Sequence, residues 1–226
     1  TPPARSLAGR WLTDPKSVMD FPAGTFDTFF LAKLVPTAKG KAAQASYNAL
    51  AGMNPEATCV GRPTPAALVS SGLYLLEFDL SQQAKVVTIR SEAFNEVRSV
   101  YMDGRKHPPS DQRLATGHSI GRWEGDTLVV DTTNFAPKAN YRGAHENLHV
   151  IERFTRVDAD TLNWEITVSD ANTYTKPWTV MIPLKAKAEQ IFEYACHEGN
   201  EGMFGTLSGH RANEREAAQA GKKGSN

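Results

Sequence analysis

The sequence predicts an all-β fold: an antiparallel meander closed as a lipocalin-like β-barrel, with an irregular and partly helical N-terminal third. Three observations carry this. From Gly72 onward apolar and polar residues alternate with period two, and the runs are rich in Val, Ile, Thr and aromatics. The links between runs are short and turn-forming, as at Glu124-Gly125-Asp126 and Asp158-Ala159-Asp160. About nine such runs side by side would leave exposed edges unless the sheet closed on itself. A two-sheet β-sandwich is the alternative.

Taken in order, Leu7–Thr13 reads as a short opening strand with Trp11 inside. Phe21–Phe30 is aromatic and broken by Pro22 and Gly24. Thr37–Leu50 reads as a helix, because Thr37 is a good N-cap and Gly52 stands near its end. Asn54-Pro55, Gly61, Pro63 and Pro65 mark a long loop around Cys59. Strands follow near Leu73–Phe78, Lys85–Glu92, Val97–Met102, His118–Trp123, Thr127–Thr133, Leu148–Val157, Thr161–Ser169, Trp178–Leu184 and Ile191–His197. One domain spans 1–226: a segment 1–70 packed on the barrel, the barrel over 71–200, and a flexible polar tail over 210–226.

Composition excludes several classes. The 226 residues carry 25 Lys+Arg against 25 Asp+Glu, so the basic surplus of a nucleic-acid or polybasic membrane binder is missing. Hydrophobic residues make up 40% and charged residues 22%, which suits a packed globule. The apolar stretch Ala66–Leu76 is too short for a spanning helix. The start Thr1-Pro2-Pro3-Ala4-Arg5 reads as a processed mature end or a trimmed one. Cys59 and Cys196 are either two buried thiols or one disulfide tying the N-terminal third to the last strand.

Three motifs are distinctive: Val100-Tyr101-Met102-Asp103-Gly104-Arg105-Lys106-His107-Pro108, then Gly117-His118-Ser119-Ile120-Gly121-Arg122-Trp123-Glu124-Gly125-Asp126-Thr127-Leu128-Val129-Val130-Asp131-Thr132, then Ile151-Glu152-Arg153-Phe154. Together they resemble a large family of exported bacterial proteins with a DGRxHP … GxSxGRWEGDTLVVDT … ERF signature. The similarity runs from about Trp11 to Glu198 and includes both cysteines. The resemblance implies export, to the periplasm or beyond the cell, and a β-rich domain. It names no reaction, so chemistry has to come from the residues.

Asp131 stands mid-strand between valines, where a carboxylate is expensive unless partnered. If its face is the barrel interior, Asp131 is an acid/base candidate. Arg98, His118, Glu152 and Glu193 also fall in expected strands; with walls of Tyr101, Trp123, Trp164 and Tyr194 they would make a polar lumen pocket for a small, flat or aromatic molecule. In that reading Asp131 or Glu152 is the base, His118 or His107 the acid, and Arg98 or Arg105 holds an anionic group. His107 and Arg105 follow an Asp-Gly turn that would lean them over the barrel mouth.

His145-Glu146-Asn147-Leu148-His149 matches HExxH, but it leads into a strand, where positions four apart lie roughly 13 Å from one another. A metal site would instead use His149 with His107, His118 or His197. Gly117-His118-Ser119-Ile120-Gly121 has the letters of a nucleophile elbow without the helix an elbow needs. No phosphate-binding glycine loop is present, so no cofactor is indicated. The expectation is an exported acid/base enzyme, a lyase, isomerase or hydrolase, on a small organic molecule. The alternatives are a carrier barrel without turnover and a His-ligated metalloenzyme.

Overall fold

The computed structural model describes residues 6–14, 35–46, 74–81, 85–137, 144, 146–196, 205, 208–209, 211–216 and 219. The strands β1 (Gly9–Thr13), β2 (Leu76–Ser81), β3 (Val86–Ser91), β4 (Glu96–Tyr101), β5 (His118–Glu124), β6 (Thr127–Thr133), β7 (His149–Arg156), β8 (Thr161–Ser169) and β9 (Trp178–Lys187) close into one barrel in sequence order. Burial alternates along them, most regularly in β8, so one face of each ribbon is apolar and faces inward. Closure leaves no bare edge at either end of the order, since β1 pairs with both β2 and β9.

Two expectations are corrected. Segment 191–196 is not a strand; the ninth place is taken by β1, which the N-terminal third supplies. The segment instead lies against the β3–β4 turn, where the Phe192 amide donates to Glu92 and the Tyr194 amide to Asn95. Nor is the barrel wholly antiparallel. β4 and β5 are parallel, joined by only the pairs Val100↔Ser119 and Tyr101↔Ile120. A parallel neighbour requires the chain to cross back along the barrel, and residues 102–117 do so.

The interior is packed rather than hollow. Trp11, Phe78, Phe154, Trp164, Ile166 and Ile182 are all buried there, with Phe154 stacked on Trp164 at 5.8 Å and edge-on to Phe78 at 5.0 Å. Across this core Arg98 of β4 reaches Glu152 of β7 with both terminal nitrogens, and Nη2 donates to Oε1 at 3.1 Å. Trp164 Nε1 donates to the same Oε1 at 3.1 Å. Ser119 and Thr132 share a buried hydroxyl bond of 2.8 Å.

Helix α1 (Ala38–Ala45) begins where expected, with Thr37 Oγ1 accepting from the Gly40 amide at 3.0 Å. Thr37 also ties this segment to the β8–β9 link, its amide donating to Thr173 O at 2.8 Å. Among the described residues no helix is long and apolar enough to cross a membrane. Phe21–Phe30, Cys59, His145, His197 and the end of the tail lie outside the described residues, as does the expected bridge from Cys59 to Cys196.

Candidate functional site

The parallel joint builds the site. After β4 ends at Tyr101, Asp103-Gly104 turns the chain, with Gly104 at φ +79°. The Asp103 carboxylate accepts from the Arg105 amide at 3.2 Å and pairs with its guanidinium at 2.6 to 3.0 Å. That hydrogen bonding to Arg105 holds the Asp103 carboxyl at about 2. The guanidinium then lies 3.9 Å over the Tyr101 ring, and Tyr101 stacks on His118 with centroids 5.2 Å apart.

Asn134, just past β6, locks the crossing segment. It adopts φ +59°, which Asn tolerates better than most residues, and its Nδ2 lies within 3.2 Å of the carbonyls of Pro108, Pro109 and Gln112. A parallel bridge, Leu114↔Phe135, fixes the return. Gly117, at φ +72°, lets the backbone come close before His118: a Cβ there would meet Thr133 O at 2.7 Å.

These constraints deliver four side chains to the outer face of β5, β6 and β7. His107 Nδ1 lies 3.0 Å from His118 Nδ1. His107 Nε2 lies 3.2 Å from Asp131 Oδ1, and His149 Nε2 meets the same oxygen at 2.9 Å. The cross-strand register explains the meeting. Asp131 pairs with Ile120 and Ile151, so it shares the outer face with His118 two residues before Ile120 and His149 two before Ile151.

The electrostatics follow. Burial resists ionisation of Asp131, but bonding from His149 and the charges of His149 and His107 outweigh it and hold the carboxyl below its ordinary value. Asp131 in turn raises His149 through their hydrogen bond, against partial burial. His118 is lowered by burial first, then by the nearby charges of His107 and Arg105. An ionised Asp131 can only accept, so both Nε2 atoms facing it carry protons. The facing Nδ1 atoms of His107 and His118 can share one proton, and where it rests on His118 the unprotonated nitrogen of that ring is Nε2.

His118 borders a cleft of about 490 Å³ lined by Tyr101, Arg105, Lys106, Pro108, Gln112, Arg113 and Leu114. Of the residues expected to line a lumen pocket, His118, Asp131 and Tyr101 stand on the outer face, joined by His107, Arg105 and His149. The lumen pocket is corrected on this point. Arg98, Glu152 and Trp164 face the packed interior and satisfy one another, and Trp123 packs at the edge of that core. Glu193 is exposed, and Tyr194 sits against Tyr74 and Phe94, away from the barrel interior. Ser119 is buried inside, bonded to Thr132. His149 opens a strand, so the HExxH letters lack the helix that would make them a zinc motif.

Sequence reasoning passed over Asn134 and Arg113. An Asn directly after a strand was a turn signal for the first. The second has no local signal, since its Nη1 donates to the carbonyls of Phe135 and Glu146, both distant in sequence. Among the described residues no three His, Cys, Asp or Glu side chains are arranged to hold a metal ion. No protein-family model, curated protein or solved structure matches the chain.

Proposed function

We propose that this protein is an exported enzyme that moves a proton on a small organic molecule, with His118 as the group that takes and returns it. One observation supports the reading above the rest: an unbroken chain from His118 through His107 to Asp131 and His149, starting at the edge of a cleft. A surface with no chemistry to perform has little need to bury a carboxylate partly, set two imidazoles on it and back one of them with a third.

The proposed step balances within the chain. Substrate gives its proton to His118 Nε2; His118 Nδ1–H passes to His107 Nδ1; the resulting His107 imidazolium stays paired with Asp131. His118 thus ends neutral, with its proton on the other nitrogen, and positive charge rests beside a carboxylate. Reversal of the transfer returns the proton to product, as elimination, isomerisation and hydrolysis all require. Asp131 and His149 are positioning residues here, and Asp131 does not meet substrate.

The test is a screen of small organic substrates with the wild-type protein and His118→Asn. Turnover of any substrate found should fall about 10²- to 10⁴-fold in the variant, with folding unchanged. Retention of the full rate by His118→Asn overturns the proposal. So does binding without turnover across the screen, which identifies a carrier. Loss of activity on removing a stoichiometric metal would replace the cofactor-free form with a metalloenzyme.

A further inference from the structure

The cleft beside His118 carries positive charge that no carboxylate among the described residues neutralises. Arg105 is matched by Asp103. Lys106 and Arg113 line the same cleft, and among the described residues neither pairs with a carboxylate. Arg113 is held by two carbonyl oxygens, which aim the guanidinium without cancelling its charge. Opposed to this polarity are Pro108 and Leu114, and Leu114 is a large apolar side chain left 56% exposed. The loop is pinned by Asn134 and by the Leu114↔Phe135 bridge, so Leu114 is held in this position by the backbone.

We infer that the cleft takes a small organic anion: a single carboxylate or similarly charged head on an apolar body. The head lies between Lys106 and Arg113, and the body lies on Pro108 and Leu114. The volume, about 490 Å³, falls in the range of small-molecule sites. The inference rests on the proposed proton chemistry for its purpose, since the anion is what would be presented to His118. It does not rest on it for its evidence, which is charge and shape alone.

The experiment compares cinnamate with cinnamamide, which share a body and differ in charge, by calorimetric titration and by histidine-ring NMR on the whole chain. Cinnamate should bind at least about ten-fold more tightly than the amide, and the advantage should shrink as ionic strength rises from about 0.05 to about 0.5 M. Lys106→Ala, at an exposed position, should weaken cinnamate about five-fold, and Arg113→Gln should weaken it more. Equal affinity for acid and amide, no binding of either, or unchanged affinity in a Lys106→Ala, Arg113→Gln double variant overturns the inference. The two readings fail separately. Selective cinnamate binding with full turnover in His118→Asn removes the proton relay and leaves the anion site. Turnover that depends on His118 without anion selectivity does the reverse.

Discussion

The molecule holds two clusters of ionisable groups, and they differ in nearly every physical respect. Inside the barrel, Arg98 and Glu152 are 3% and 0% exposed and bonded to one another, and Glu152 also accepts from Trp164. On the outer face, Asp131 is 25% exposed and His149 42%, in a chain whose far end meets a cleft. The inner pair has matched charges and fixed donors, so no proton needs to move there. The outer cluster has more nitrogens than its one carboxylate can satisfy, so its protons have alternative places to rest. Charged residue types alone do not separate structural from chemical roles; burial and the count of donors against acceptors do.

The largest expected effect breaks the inner cluster. Glu152→Gln leaves the Arg98 guanidinium buried without its counter-charge. It should cost about 3–5 kcal/mol, a fall in Tm on the order of 10 °C for a chain this size. Thermal unfolding checks it. A loss under about 1 kcal/mol would mean that the interior admits water, and would remove the contrast between the two clusters.

A smaller effect is expected at the clamp. Asn134→Ala removes the amide that holds the carbonyls of Pro108, Pro109 and Gln112, and places Ala at positive φ. We expect a loss of about 1–3 kcal/mol and faster amide exchange across 103–117. Asn134→Gly relieves the backbone and should recover part of the stability while the exchange stays fast. Unchanged exchange in both variants would show that the crossing segment is held by other contacts.

The smallest effect sharpens the outer cluster. Because Asp131 raises His149, Asp131→Asn should bring the His149 titration down toward the ordinary value of about 6.5, read by NMR. The sign for stability follows. The raised His149 contributes fully below about pH 6.5 and loses its contribution as pH rises through its folded value. The lowered Asp131 contributes above about pH 3.9 and loses it as pH falls through its folded value. Wild type should therefore exceed Asp131→Asn most between about pH 4 and 6.5. Both groups are partly exposed, so the gap will be small. A gap that grows above pH 7 would contradict the pairing.

Much of the fold was legible. Alternation in β7 through β9 is regular because each of these strands has one wetter and one dry face, and the Glu124-Gly125-Asp126 turn needs only local chemistry. The irregular stretches 102–117 and 191–196 were harder. Tyr101 and His118 look like ends of consecutive strands, and nothing local says that the pair is parallel. Ile191–Tyr194 has strand-like letters, but β1 already occupies the seam they would fill. The site was legible in its members and not in its place. His107, His118 and Asp131 were picked out as acid/base candidates and His149 as a metal ligand, yet they meet outside the barrel rather than within it. Period two divides residues into two faces without saying which face is inner.

By itself the sequence determined an all-β barrel, its central hairpin, the Thr37 cap and the group of residues able to carry protons. These depend on side-chain period, turn chemistry and residue type, all local properties. Only the tertiary structure decided that β1 closes the barrel, that β4 and β5 run parallel, and that Arg98 and Glu152 spend their charge on each other while Asp131 gathers histidines. Those outcomes depend on which segments meet at long range, and on which face of a closed sheet the remaining apolar volume fills.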